Sequence, residues 1–193
     1  MHPIFTIGHS NHEFATFRGL LARHDIDAVA DVRSVPYSRR HPQFTRRPLA
    51  DALGGAGIGY LWLGDALGGR QDAVAEIGDP AARYDRVAES ASFRAGLDRV
   101  LDAAGDRRLV LMCAEREPMQ CHRALLVCRH LAARGADLRH ILADATLEPH
   151  ADFETRLVGA AGTAPPPLFD DAGSRAAALR DAYAAAARGF RRR

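Results

Sequence analysis

Two thiols, two carboxylates, an imidazole and two guanidiniums fall between positions 113 and 123: Cys113, Glu115, Arg116, Glu117, Cys121, His122 and Arg123. They follow Leu109 to Met112, an apolar run short enough to be a buried strand. Pro118 suits the first turn of a following helix, where its missing N–H leaves no bond unmade. The polar groups are therefore expected at the carboxyl end of a strand, where open α/β sheets bind ligands.

These residue types admit several chemistries. A Cys113 thiolate stabilised by Arg33, Arg123 or a helix N-terminus could act as a nucleophile, since electropositive surroundings lower a thiol's pKa. The loop of phosphatases and rhodanese-like proteins, however, carries arginine six residues after its cysteine, and Met119 stands there. Cys113, Cys121, His122 and His9 or His12 could ligate a metal, with His140 and His150 added if the fold brings them close. Structural zinc pairs are usually two to four residues apart, and Cys113 and Cys121 are farther apart than that, so no residue is assigned to a metal. All three cysteines, Cys128 included, also read as small core residues.

Anion binding has a direct physical basis. His122 and Arg123 are expected within two turns of a helix start, where free N–H groups favour negative charge, and Arg33 offers a rigid fork for phosphate or carboxylate. The competing reading is ion pairing of Arg33 or Arg123 with Asp31 or Glu115, and an Asp–Arg pair can also orient a guanidinium toward a ligand.

The elements that would position these groups alternate along the chain. Ile4 to Ile7 reads as a strand, and Ser10 with Glu13 matches the Ser-x-x-Glu capping pattern of a helix that presents Phe14, Phe17, Leu20 and Leu21 on one face. Ala28 to Ala30 is a second strand, ending at Asp31. Val32 to Ala50 contains no acidic residue and interleaves five arginines, Arg33, Arg39, Arg40, Arg46 and Arg47, with Tyr37, His41 and Phe44. It reads as a solvated loop, as a nucleic-acid surface with Tyr37 and Phe44 stacking on bases, or as a lid over a small anion. A helix near Arg47 to Ala56, a strand from Gly59 to Leu63 and the glycine-rich Gly64 to Gly69 follow, without the dinucleotide spacing. After a variable loop come a helix from Phe93 to Ala103, the strand ending at Cys113, its helix, a fifth strand from Leu138 to Leu142 and a short helix from about Pro149 to Val158. Pro165 to Pro167 form a linker before an alanine-rich helix near Ser174 to Arg188, and Arg191 to Arg193 read as a solvated end.

This alternation predicts a three-layer α/β sandwich: a largely parallel sheet of about five strands, helices on both faces, and a C-terminal helix. Residues 1–160 are expected to form the α/β domain and 161–193 the linker and terminal helix. In such a sheet Gly8-His9-Ser10, Asp31-Val32-Arg33 and Cys113-Ala114-Glu115 leave strand ends together and form one composite site.

Composition narrows the functions. The 193 residues include 26 Lys+Arg, every one an arginine, so Schiff-base, pyridoxal-phosphate and P-loop lysine chemistry are excluded. Any anion must be held by guanidinium forks, helix N-termini or backbone amides. A net charge of +2 does not call for bulk nucleic-acid binding. No signal sequence or run of about 20 apolar residues is present, and three cysteines argue for reduced thiols, so a cytoplasmic protein without a membrane partner is expected.

Thr6-Ile7-Gly8-His9-Ser10, Asp31-Val32-Arg33 with Pro36 and Ser38, Leu67-Gly68-Gly69, and Cys113-Ala114-Glu115 leading to Cys121-His122-Arg123 together resemble the family called domain of unknown function 488, over about Ile4 to His150. The resemblance implies an α/β fold and these motif positions, and no reaction.

The combined expectation is a hydrolase- or transferase-like enzyme acting on a phosphate-bearing or other anionic ligand, with no cofactor called for. Asp31, Glu115, Cys113, His9 and His122 are the candidate catalytic residues; Gly8, Ser10, Arg33, Ser38, Gly68, Gly69, Cys121 and Arg123 are the candidate binding residues. The alternatives are a nucleic-acid binding module built on the Arg33 to Arg47 loop and a metal-binding protein using cysteine and histidine.

Overall fold

Short, wholly buried strands dominate the centre of the molecule. The computed structural model describes residues 2–71, 74–164 and 171–189. Strands β1 (Ile4–Gly8), β2 (Ala28–Asp31) and β4 (Leu109–Cys113) are buried at every position, as expected of strands covered on both faces. With β3 (Gly59–Trp62), β5 (Leu138–Ile141) and β6 (Leu147–Pro149) they form a six-stranded sheet in the order β3-β2-β4-β1-β5-β6. The first five strands run parallel, and β6 pairs antiparallel with β5.

Side chains alternate across each strand and so feed two cores. On one face Ile4, Ala30, Leu111 and Cys113 meet Phe93, Leu97, Val100 and Ala104 of α5 (Ala91–Asp106). On the other, Phe5, Ile7, Val29 and Met112 meet Phe17 and Leu21 of α1 (Phe14–Ala22) and Leu49 and Leu53 of α2 (Arg46–Gly55). The result is the expected three-layer arrangement. No helix among the described residues is long and apolar enough to cross a membrane.

Several local expectations change. Ser10 does not cap α1: it has φ +49°, its hydroxyl turns to Asn11, and the helix starts at Phe14 behind Glu13. The glycine-rich segment contains a helical turn, α3 (Gly64–Leu67). The loop after it contains α4 (Pro80–Ala88), whose Asp79 side chain accepts from the Ala81 N–H while Pro80 occupies the first turn. β6 was not anticipated, because three residues reading Leu-Glu-Pro carry no period. The helix expected from Pro118 is broken up: a 3-10 turn (Pro118–Gln120), extended Cys121, a π-helical segment (Arg123–Cys128) and then α6 (Arg129–Ala132). Pro165 to Pro167 and Arg191 to Arg193 lie outside the described residues.

Past the sheet, α7 (His150–Ala161) packs on α8 (Ala172–Ala187) through Phe153, Leu157, Ala182, Tyr183 and Ala186. A buried polar chain ties this layer to β1. The Arg123 Nε donates to Thr6 Oγ1 (3.2 Å), Thr6 meets His140 Nδ1 (2.7 Å), His140 Nε2 meets His150 Nδ1 (3.0 Å), and His150 Nε2 meets the Tyr183 hydroxyl (3.1 Å). Tyr183 donates to Glu154 (2.8 Å). With both imidazoles neutral, the Tyr183 bond to Glu154 orders the chain: His150 donates to Tyr183, His140 to His150, and Thr6 to His140.

Burial holds His150 down to about 4, and burial with its neighbours' charges also lowers His140 and His9, the latter to about 4. A histidine whose folded pKa lies below its unfolded 6.5 leaves more protons bound in the unfolded chain, so its contribution is complete above pH 6.5 and is lost as pH falls toward 4. His9 and His150 each account for about 2 kcal/mol of lost stability by pH 5. Urea titrations at intervals between pH 7 and 4 should show this decline, and a flat profile through that window would contradict the neutral-histidine chain.

Candidate functional site

The strand order creates the crevice. From β1 the chain passes over β4 to reach β2, and from β4 it passes over β1 to reach β5, so two neighbouring strands send their continuations in opposite directions. Gly8 is in register with Cys113, and Asp31 with Met112. The parallel ladder continues beyond the strands, with the His9 N–H on the Cys113 carbonyl (2.8 Å) and the Ser10 N–H on that of Ala114 (2.9 Å). Gly8 is required there, because a Cβ would sit 1.9 Å from the Glu115 carbonyl oxygen. The three strand-end segments are thus adjacent.

One half of the site is a fixed ion pair. Arg33 is held by Asp31 through Nε (2.8 Å) and Nη2 (2.6 Å), and Nη2 also reaches the Phe44 carbonyl (2.8 Å). Tyr60 donates to the same carboxylate (2.8 Å). The remaining Arg33 nitrogen, Nη1, faces His9 Nε2 at 3.1 Å. Burial and the Arg33 charge keep His9 neutral, and its ring stacks on Phe44 at 4.2 Å. Asp31 and Arg33 therefore form the ion pair, and the pair fixes the direction of the guanidinium.

The other half is a cluster of reactive side chains. Donor atoms of Cys113, Glu115, Cys121 and His122 all lie within 4.8 Å of one another. Glu115 Oε2 accepts from both thiols, at 2.9 Å from Cys113 and 3.1 Å from Cys121. His122 turns Nδ1 toward Cys113 (3.5 Å) and Nε2 onto the Val32 carbonyl (2.9 Å). Burial, together with Cys121 and Glu115, pushes the Cys113 thiol up. Burial would also raise Cys121, but Cys113, the Arg123 charge and His122 overcome it and hold that thiol low. Glu115 is raised by burial and by the Cys121 charge. Of the two sulfurs, Cys121 is the more readily ionised.

Both halves open into one cavity of about 430 Å³ whose lining includes His9, Arg33, Ser38, Gly69, Cys113, Glu115 and His122. Gly68 and Gly69 allow close approach, since a Cβ would meet Ser34 at 2.3 Å in the first case and His122 at 2.9 Å in the second. Six of the expected residues, Gly8, Ser10, Asp31, Gly68, Cys121 and Arg123, are outside the lining. Arg123 is fully buried behind the cluster, with Nη1 on the Glu115 carbonyl (2.7 Å) and Nη2 on that of Arg116 (3.4 Å). His140 and His150 belong to the polar chain and not to the thiol cluster. Of the loop aromatics, Tyr37 is 64% exposed but Phe44 is fully buried, so Phe44 offers no face to a base.

Ser34, Arg70, Arg83, Tyr84 and Gln120 line the cavity and escaped the sequence reading. Arg83 and Tyr84 belong to α4, whose Asp79-Pro80 start was a usable signal. Ser34 anchors the glycine segment by accepting the Arg70 N–H (2.9 Å), a contact that sequence does not announce.

Gly8→Ala should lower stability by roughly 2–3 kcal/mol, because main chain must move to admit the Cβ. Gly19→Ala, on an exposed part of α1 with open space around the added methyl, should be neutral or stabilising by up to about 1 kcal/mol. Urea midpoints for the two variants check this contrast, and equal midpoints would show that the Gly8 contact imposes no constraint.

A family model, described as Domain of unknown function DUF488, matches residues 13–129. No curated protein and no solved structure matches the chain. The matched span contains β2, β3 and β4, the Asp31–Arg33 pair and the cluster from Cys113 to Arg123, while β1, His9, β5 and β6 lie outside it; the chain belongs to the DUF488 family.

Proposed function

We propose that this protein is a hydrolase- or transferase-like enzyme acting on a small phosphate-bearing or otherwise anionic substrate at the carboxyl ends of β1, β2 and β4. The observation that carries the reading is a single cavity with Arg33, Arg70 and Arg83 in its lining together with Cys113, Glu115 and His122. Guanidiniums suit an anion's oxygens because their N–H groups form a planar fork. Asp31 fixes the orientation of Arg33, and Ser34 and Ser38 add hydroxyls to the same lining.

Glu115 has the acid–base role, since its raised pKa brings it closer to working pH. His9, held neutral beside Arg33, accepts from Nη1 and donates to the Ser10 carbonyl, so it positions the guanidinium. Cys113 is mostly protonated and 2% exposed, which weakens its candidacy as a free nucleophile. Val35, Tyr37 and Ser38 of the arginine-rich loop line the cavity, which supports the lid reading. Burial of Phe44 counts against the nucleic-acid reading of that loop.

Thermal unfolding with inorganic phosphate and a panel of phosphate monoesters tests the proposal. Ligand at one hundred times its Kd adds about 2.7 kcal/mol, a rise of several degrees for a domain of this size. The shift should disappear in Arg70→Ala or Arg83→Ala, while Glu115→Gln keeps binding but loses turnover at least about 100-fold. No shift with any member of the panel would overturn the anionic-substrate reading.

A further inference from the structure

We infer that Cys113, Cys121 and His122, with Glu115 at the fourth position, bind a zinc-like divalent cation at the floor of the cavity. The inference goes beyond the anionic-substrate reading and does not depend on it. Three independent features of the cluster support it.

The first is separation. Tetrahedral zinc with bonds of about 2.3 Å to sulfur and about 2.0 Å to nitrogen or oxygen sets sulfurs about 3.8 Å apart, and nitrogen or oxygen about 3.6 Å from sulfur. The four donor atoms already lie within 4.8 Å, with Cys113 Sγ 3.5 Å from His122 Nδ1. Glu115 Oε2, at 2.9 and 3.1 Å from the sulfurs, is too close, and an outward shift of roughly 0.5 Å corrects it. Glu115 is the exposed member of the set and is free to make that shift.

The second is the outer support. His122 commits Nε2 to the Val32 carbonyl, which leaves Nδ1 as the nitrogen directed at the thiols, and the Gly69 backbone lies close against its side chain. A carbonyl that fixes the tautomer of a ligating histidine is a usual companion of metal sites. The Cys121 sulfur accepts the Arg123 N–H at 3.4 Å, a contact that supports negative charge on sulfur.

The third is charge. Arg123 is fully buried, and among the described residues it contacts carbonyls and a hydroxyl but no carboxylate. Two thiolates and one carboxylate carry three negative charges, which a divalent cation and the Arg123 guanidinium neutralise. Without a cation the same cluster must retain protons on its sulfurs. Two thiolates with one imidazole favour a borderline-soft ion over magnesium or calcium. Ion entry displaces the thiol protons to solvent, with no change of oxidation state.

Cys121 is 0% exposed, so it cannot reach a substrate, yet it points into the cluster; ligation gives it a role that nucleophilic attack does not. Glu115, on the cavity side, is the ligand that an incoming water or anion can displace. Once released, it sits beside that water as a base.

The test uses the full chain, stripped with a chelator under reducing conditions and titrated with Co(II) and then Zn(II). One equivalent of cobalt should produce thiolate-to-metal charge-transfer absorption, which one equivalent of zinc abolishes. Cys121→Ser and His122→Ala should weaken cobalt binding at least about 100-fold and Glu115→Gln about 10-fold, whereas Cys128→Ser, outside the cluster, should bind as the native chain does. Circular dichroism identifies any variant that fails to fold. If Cys121→Ser does, the native stoichiometry and the exposed Glu115→Gln decide. Absence of charge-transfer absorption in the folded native chain, or affinity unaltered by Glu115→Gln and His122→Ala, would overturn the site. Zinc bound without any phosphate-induced thermal shift upholds this inference and overturns the preceding function, and the converse result does the opposite.

Discussion

A buried guanidinium organises this molecule. Arg123 is wholly removed from water at the start of a π-helical segment, and its five N–H donors cannot be left unmade at that depth without a cost of several kcal/mol. Each of its three nitrogens has an acceptor: the Glu115 carbonyl, the Arg116 carbonyl and Thr6. The first two contacts bend the segment after β4 back toward the sheet and so place the Glu115 carboxylate over the two sulfurs. The third engages β1. Arg123 is therefore a splint between the strand that carries Cys113 and the strand that carries His9, and its charge is one reason that Cys121 ionises readily.

The second constraint is the bare backbone of the strand ends. Gly8 lets the Glu115 carbonyl lie against β1, and Gly64 lets the Arg33 carbonyl lie where a Cβ would stand 1.8 Å away. Trp62 donates to that same carbonyl at 3.1 Å. Two sequence-distant loops are thus held by main-chain contact, so the charged side chains above them start from fixed positions. Asp31 is used in the same way, since it accepts from the Arg33 backbone and side chain and from Tyr60.

The sheet and the meeting of its strand ends were legible because continuous apolar runs such as Leu109 to Met112 can be satisfied only by burial on both faces. The thiol cluster was less legible. Its separation along the chain lies outside the usual zinc spacing, and only the 3-10 turn at Pro118, followed by extended Cys121, brings the second sulfur back beneath the first. Arg123 was read as facing a ligand because sequence places a residue on a helix but does not say which way a long side chain turns. Phe44 was misread for the opposite reason: arginine neighbours suggested an exposed ring, whereas the ring fills the space between His9 and Phe17. The Asp79-Pro80 start of α4 was legible in principle, but little apolar periodicity accompanied it.

The chain from Arg123 through Thr6, His140, His150 and Tyr183 to Glu154 has a fixed polarity. A conducting proton wire needs ends that can both release and recapture a proton, so that its bonds can reverse after each passage. Here one end is a guanidinium that does not deprotonate, and every link is already oriented away from it. Two histidines and a tyrosine in series would suggest proton traffic to anyone reading residue types alone. In this arrangement they form a latch that fastens the C-terminal layer to the sheet.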